Sequence, residues 1–278
     1  MFATRLKNFL IDKKLMKILI TGANGYVGKT LRHSFKAKYD VAILTREKVN
    51  LVDTEEVKNF FEGKYFDVVI HCAIVGGGRL DVDEPKTLDD NLKMYYNLVE
   101  CESSFGKVLH FGSGCEYQNT FYGLSKKIIN ESIKDKDKFY NIRILAVFNE
   151  NELEYKFVKF NIKNYLHKEK INIFQNKYMD FFYIDDLITL VEHYIDNENL
   201  PKVINCSYDY PVTLYDVAKI INNLGEHKVD IEIKDWEMAP PFNGEFTDLG
   251  LKFIGLEQGI KNVYNKLNKI NEKNSVSN

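Results

Sequence analysis

The sequence predicts an α/β protein built on a doubly wound parallel sheet, with a smaller C-terminal substrate-binding lobe. Three observations predict it. Apolar strand-like runs alternate with helix-like runs over residues 16–150, an alternation that builds a parallel sheet covered on both faces. The first run, MKILIT (16–21), ends in a glycine-rich turn that opens a helix. Beyond residue 150 the regular alternation gives way to shorter mixed elements, read as a lobe over 151–270 with some segments returning to the main sheet.

Each element has its own reason. MKILIT is a short apolar run closed by glycines, hence a buried strand. The next stretch, 26–38, repeats Val27, Leu31 and Phe35 at helical spacing. Strand DVAILT (40–45) precedes helix 53–63, where Asp53 and Glu56 form the pattern of a capping box. Strand 66–73, a long helix over 87–105, strand 107–113, helix 122–133 and strand 139–148 complete the first half. The second half reads as a helix near 154–168, strand INIFQ, the segment FFYIDDLITLVEHYI (181–195), and a strand near 202–207. A helix opened by TLYDVAKIINNL, strand VDIEIK and the helix LEQGIKNVYNKLNK follow. Residues 1–15 are an N-terminal extension whose Leu6, Phe9 and Leu10 suit a short helix, and 271–278 read as a flexible tail.

The chain has 278 residues, 45% of them hydrophobic and 28% charged, with net charge −2. Near-neutral charge speaks against a nucleic-acid or anionic-membrane surface. Four scattered cysteines, Cys72, Cys101, Cys115 and Cys206, form no CxxC pair, which favours reduced thiols in a cytoplasm over disulfides or a metal site. No apolar run reaches the roughly 18 residues of a membrane span, and the start lacks the pattern of a signal peptide.

In ITGANGYVG, Gly22, Gly25 and Gly28 lie between strand and helix. One glycine makes the tight turn, one admits a pyrophosphate to the backbone, and one packs helix on strand, the Rossmann-like dinucleotide site. After the second strand stand Thr45, Arg46 and Glu47. An arginine there suits the 2′-phosphate of NADP(H); Glu47 keeps NAD(H) open.

Tyr122 and Lys126 are four apart, on one face of a helix. An ammonium beside a phenol stabilises the phenolate, so the pair is expected to lower the tyrosine's pKa for proton transfer. Ser113, at the tip of the preceding strand, can donate to the same substrate oxygen.

TGANGYVG, VIHCA, FGSGC and YGLSK, in this order, resemble the extended short-chain dehydrogenase/reductase family (NAD-dependent epimerase/dehydratase type). MDFFYIDDL and GLEQGIKNVYNKL resemble its later signatures. The chain is most similar to the nucleotide-sugar 4-ketoreductases such as the GDP-fucose synthase branch. The resemblance implies an NADPH-dependent oxidoreductase that reduces a nucleoside-diphosphate-linked 4-keto(-6-deoxy) sugar for surface polysaccharide. It implies Tyr122 as proton donor, Lys126 as its partner, Ser113 polarising the ketone, and Cys115 as a further catalytic thiol. Dinucleotide contacts would come from Gly22, Asn24, Gly25, Tyr26, Val27, Gly28, Arg46, Asn50, Leu51, Cys72, Ala73, Leu145 and Val147. Gly76, Gly77, Arg79 and Gly114, with Ser113 and Cys115, would line the sugar. A cytoplasmic homodimer through helices 87–105 and 122–133 is implied as well.

The sequence departs from that pattern in four places. Ser113 and Tyr122 are only nine positions apart, Phe157 stands where a proton-moving histidine is expected, Met179 replaces an arginine, and Ala146 an asparagine. The histidine's absence argues against epimerisation. Lys156, Lys159, Lys163 and Lys177 are candidates for the diphosphate or are solvated charges. His167 reads as a surface residue, His71 as structural, Asp185 and Asp186 as helix caps, and Phe181, Phe182 and Tyr183 mainly as core. Two other functions stay open: a 4-epimerase that retains its cofactor, and a non-catalytic NADP-binding sensor or scaffold.

Overall fold

The computed structural model describes residues 15–78 and 80–276. The segment read as an N-terminal helix therefore lies outside the described residues, as does Arg79. Six strands form one parallel sheet: β1 (Lys17–Thr21), β2 (Asp40–Leu44), β3 (Phe66–His71), β4 (Phe105–Ser113), β5 (Phe139–Ile144) and β9 (Val203–Asn205), in the order β2-β1-β3-β4-β5-β9. The chain leaves β1 to one side for β2 and returns to the other side for β3. That reversal opens a crevice at the carboxyl ends of β1 and β3, where such sheets take ligands.

Helices cover both faces. On one side, α2 (Thr54–Phe61), α3 (Pro85–Glu100) and α4 (Phe121–Lys134) bury Val57, Phe61, Tyr95, Leu98, Ile129 and Ile133 against the sheet. On the other, α1 (Tyr26–Phe35) and α6 (Ile184–Asp196) bury Leu31, Phe35, Val191 and Tyr194. This second core runs on without a break into the smaller lobe. It takes in Val158 and Ile162 of α5 (Phe157–Leu166), Val217 of α7 (Leu214–Asn222), and Ile260 and Val263 of α8 (Leu256–Val276). The lobe shares one face of the sheet's core, and β9 returns to the sheet's edge. The lobe's own strands pair in twos: β6 (Val147–Phe148) with β8 (Phe182–Tyr183), and β7 (Ile171–Gln175) with β10 (Ile231–Asp235).

Several expectations are corrected in detail. The run 139–148 is two strands: β5 stops at Ile144, and β6 departs to pair with β8, where Phe182 N–H donates to the Ala146 carbonyl at 2.7 Å. Asp53 does cap α2, accepting from Glu56 N–H at 3.0 Å, but Glu56 turns back to Asn50 N–H at 2.8 Å and leaves the box open. A closed capping box stands instead on α7, between Thr213 and Asp216. Asp186 does not cap α6. Its carboxylate accepts from Tyr208 Oη at 2.5 Å and from Ile254 and Gly255 N–H at 2.7 and 3.0 Å, tying α6 to the approach of α8. α8 runs to Val276, through the first residues of the segment read as a tail.

A candidate active site at the sheet's switch point

The glycine turn is built for close approach. Gly22 has φ +60°, a left-handed conformation, and a Cβ on it would come within 2.6 Å of Ala73 N. A Cβ on Gly28 would meet the Gly22 carbonyl at 2.5 Å, so α1 packs hard on the turn. Gly25 is the N-cap of α1, with no side-chain cap and no acidic residue in the first turn. The N–H groups of that turn are therefore available to an anion such as a diphosphate, and the helix dipole favours one. At the end of β2, Arg46 and Glu47 are both exposed, with the Thr45 hydroxyl holding the Glu47 carboxyl below its usual range. Asn50 spends its side chain locally on Val52 N–H, and Leu51 is a core residue whose carbonyl accepts from Asn97.

From the turn a cleft of about 650 Å³ runs along the carboxyl ends of the strands and under the lobe. Tyr26, Val27, Cys72, Ala73, Leu145 and Val147 line it. Ser113, Cys115, Tyr122 and Lys126 line its centre. Gly77 belongs to the cleft wall and Gly114 to the packing behind it, where a Cβ would meet the Phe242 ring at 2.9 Å. Gly76 lies against Thr87.

Local chemistry places these groups. β4 carries Ser113 to the sheet's edge, and a single 3₁₀ turn (Gly114–Tyr117) spans most of the short way to α4. Ser113 Oγ accepts from Cys115 N–H at 3.1 Å and lies near enough to the Tyr122 hydroxyl to lower its pKa. Thr120 caps α4 by accepting from Gly123 N–H at 2.9 Å. Asp83, from the loop after β3, accepts from Phe121 and Tyr122 N–H at 2.8 and 2.9 Å. Gly77 of the same loop, at φ +86°, sits directly on the phenol: a Cβ there would be 2.5 Å from Tyr122 Cζ and 2.9 Å from its hydroxyl.

The electrostatics correct one expectation. Lys126 Nζ lies 5.7 Å from the Tyr122 ring centroid and donates to the Phe111 carbonyl at 2.6 Å. The ammonium does not pull the phenol down. Burial pushes Tyr122 up to about 12, against the lowering influence of Ser113 and with added repulsion from Cys115 and Asp81. Burial pushes Lys126 down to about 7, with Cys72 and Cys115 opposing. A phenol of that kind is fully protonated near neutrality, so the site presents an acid rather than a phenolate base. His71 also lines the cleft; burial drives it down to about 3, and its Nδ1 is 2.8 Å from Thr21 Oγ1. It is a neutral, fixed ring beside Lys126.

The lobe supplies an apolar wall of Met179, Phe181, Phe157 and Phe242, together with Lys156 and the buried Glu152, whose carboxyl burial raises to about 8. Of the lysine candidates, only Lys156 lines the cleft. Lys159 turns to Glu152 and Glu154, Lys163 pairs with Glu154, and Lys177 Nζ stands 5.5 Å over the Phe242 ring. His167 is exposed at the end of α5, while Phe182 and Tyr183 are core. The sequence reading missed Asp83, Glu152 and Phe242. Asp83 and Phe242 reach the site through contacts far along the chain that leave no local pattern. All four cysteines are free, and the described residues hold no cluster of metal-ligating side chains. No helix among them is long and apolar enough to cross a membrane.

Residues 18–207 match the family model described as Epimerase, NAD dependent epimerase/dehydratase family. The GDP-L-colitose synthase of Yersinia pseudotuberculosis is 33% identical over 107 residues, which are 37% of this chain and 35% of that protein. The chain thus spans 33–35% of the length of the first curated relatives it matches. Among solved structures, the GDP-mannoheptose C4 reductase from Campylobacter jejuni with NADP bound matches with TM-score 0.71 and 16% identity, over 92% of this chain and 99% of that one. The UDP-glucose 4-epimerase of Thermotoga maritima matches with TM-score 0.74 and 16% identity, over 92% and 99%. These structural similarities show a shared fold.

Proposed function

Because the chain belongs to the NAD dependent epimerase/dehydratase family, we propose that it is an NADPH-dependent reductase of a nucleoside-diphosphate-linked 4-keto(-6-deoxy) sugar, serving surface-polysaccharide synthesis. One observation carries the reading: a protonated Tyr122, with Ser113 and Lys126 beside it, lines the same cleft as the start of α1 at the uncapped glycine turn. The names of the similar proteins, a colitose synthase and a heptose C4 reductase among them, support the substrate class.

The residues fit the dinucleotide. The turn's N–H groups would hold its diphosphate, Arg46 a 2′-phosphate, and Lys126 the ribose hydroxyls beside the nicotinamide. Bound there, the dinucleotide supplies a hydride. The chain's part is to bind and orient the ketone and to manage one proton. Ser113 polarises the sugar's C4 oxygen, Tyr122 gives that oxygen its hydroxyl proton, and Ser113, which lowers the phenol's pKa against burial, steadies the phenolate left behind. Gly77, packed directly on the phenol, helps set the ring's position. Phe157 in place of a second proton-moving group favours simple reduction over epimerisation at neighbouring carbons.

Incubation with NADPH and a panel of CDP-, dTDP-, GDP- and UDP-linked 4-keto-6-deoxy sugars tests the reading. Loss of reduced-nicotinamide absorbance with at least one of them is the expected outcome. Interconversion of 4-epimers with no net oxidation would replace reductase by epimerase, and tight NADPH binding without turnover would leave a sensor or scaffold.

A further inference from the structure

We infer that the buried Glu116–Arg143 pair positions the sugar pocket: it fixes the short serine-to-tyrosine segment against the lobe residue Phe242, without touching substrate. The inference deepens the reductase reading and rests on it. Glu116 lies in the 3₁₀ turn between Ser113 and Tyr122, and Arg143 lies near the end of β5, beside Gly112 in register. Both are buried, 5% and 8% exposed. The Arg143 guanidinium binds the Glu116 carboxylate through Nη2 and donates through Nη1 to Asn205 Oδ1 at 2.7 Å. Asn205 in turn donates to the Glu245 carbonyl at 2.8 Å, and Ser207 Oγ donates to the same carbonyl at 3.4 Å. Gly244 lies so close that a Cβ on it would be 2.6 Å from Asn205 Cγ. Two residues before it, Phe242 reaches back into the cleft and lays its ring on Gly114. The contacts therefore close a ring: 3₁₀ turn, Arg143, Asn205, 244–245, Phe242, and the 3₁₀ turn again.

Stability alone does not account for this arrangement. Glu116 Oε2 and Arg143 Nε are buried with no partner, and burying an ion pair with unmet polar atoms is often no better than apolar packing in its place. What the pair supplies is direction. Arg143 has a planar fork with fixed geometry, and it bridges the sheet edge, the catalytic segment and the lobe at one point. A segment of only eight residues between Ser113 and Tyr122, a single 3₁₀ turn and a short link, has little structure of its own to hold Cys115 and the serine in place. None of Glu116, Arg143 and Asn205 lines the cleft, so their effect on substrate must pass through Ser113, Gly114 and Phe242.

The test compares Glu116→Gln with the paired apolar replacement Glu116→Leu/Arg143→Met, both in the full chain. In each, kcat/KM for the accepted keto sugar is expected to fall about 100-fold, as for a displacement near 1 Å at a reacting centre, with the Kd for NADPH unchanged. Amide hydrogen exchange is expected to quicken together in 113–122 and 240–247 and to stay unchanged in 17–28. The paired variant should regain the wild-type Tm yet regain neither sugar turnover nor exchange protection. If turnover and protection return with Tm, the pair is packing only and the inference fails. It also fails if 240–247 exchanges at the wild-type rate in Glu116→Gln. Should Glu116→Gln not fold, the paired variant still decides between these outcomes. The exchange measurement needs no turnover, so a wild-type chain that reduces no keto sugar would sink the reductase reading alone.

Discussion

Gly77→Ala puts a methyl group where the structure has no room for one. The new Cβ would sit 2.5 Å from Tyr122 Cζ and 2.6 Å from Cε2, and residue 77 holds φ +86°, which an alanine adopts only under strain. Strain of this kind costs about 1–3 kcal/mol. The ring on α4 is held at its N-terminus by Thr120 and Asp83, so relief comes from the glycine loop lifting or from the phenol tilting. Either movement shifts the proton donor by something near an ångström, which costs on the order of 100-fold in rate, or about 2.7 kcal/mol of transition-state stabilisation. Stability should suffer less than turnover, because the loop is peripheral: at about 2–4 °C per kcal/mol for a chain somewhat smaller than this one, Tm should fall by no more than about 10 °C. Steady-state kinetics with NADPH and the accepted keto sugar, alongside a thermal melt and an NADPH titration, provide the assay. A variant with kcat/KM within about twofold of wild type would refute the placement of Gly77 on the phenol, since even 1 kcal/mol at the reacting centre exceeds that.

The remaining predictions concern the same cleft. Lys126→Met should stabilise the fold at neutral and acid pH. The buried ammonium titrates near 7 in the folded chain and near 10.5 unfolded, so between those values the unfolded chain holds a proton that the folded one lacks, and wild-type stability rises with pH. The variant's Tm advantage should therefore be largest at pH 7 and below and should shrink toward pH 10.5; an advantage that does not vary with pH would contradict the burial of the ammonium. Arg46→Ala should raise the KM for NADPH about tenfold, as expected for loss of an exposed charge-assisted contact, and leave that for NADH unchanged; equal effects on both would remove the arginine from the 2′-phosphate. Asp83→Ala removes acceptors from two N–H groups of α4 and should cost about 1 kcal/mol of stability together with a fall in kcat, read by melt and by turnover.

The parts legible in the sequence are those whose cause is local. The glycine turn announces itself because Gly22 and Gly28 answer to contacts within a few residues or at the adjoining strand end. Tyr122 and Lys126 are legible because helical spacing alone puts them on one face. The break at Leu145–Ala146 was invisible, since apolar residues continue through it and only pairing with β8 shows that β6 has left the sheet. Asp186 carries the marks of a cap but answers to Tyr208 and Gly255, far along the chain. The phenol's pKa depends on burial beneath the Gly77 loop, a tertiary fact, so reasoning from the neighbouring lysine gave the wrong sign. Phe242 forms only an isolated bridge with Met179, and its place against Gly114 depends on backbone bonds to Tyr178 and Asp180 together with the network around Asn205, all far along the chain from Gly114.

The most direct measurement is the fate of label from NADPH carrying deuterium at nicotinamide C4, supplied with the panel of nucleotide-linked 4-keto sugars to the wild-type chain and to Tyr122→Phe. The wild type should deliver one deuterium to sugar C4 for each NADPH oxidised, and the phenylalanine variant should bind NADPH equally well while turning over about 10²–10⁴-fold more slowly, the share expected of a positioned proton donor. Product with no deuterium at C4, or a phenylalanine variant that works at the wild-type rate, would contradict the assignment of Tyr122 as the acid in a ketone reduction.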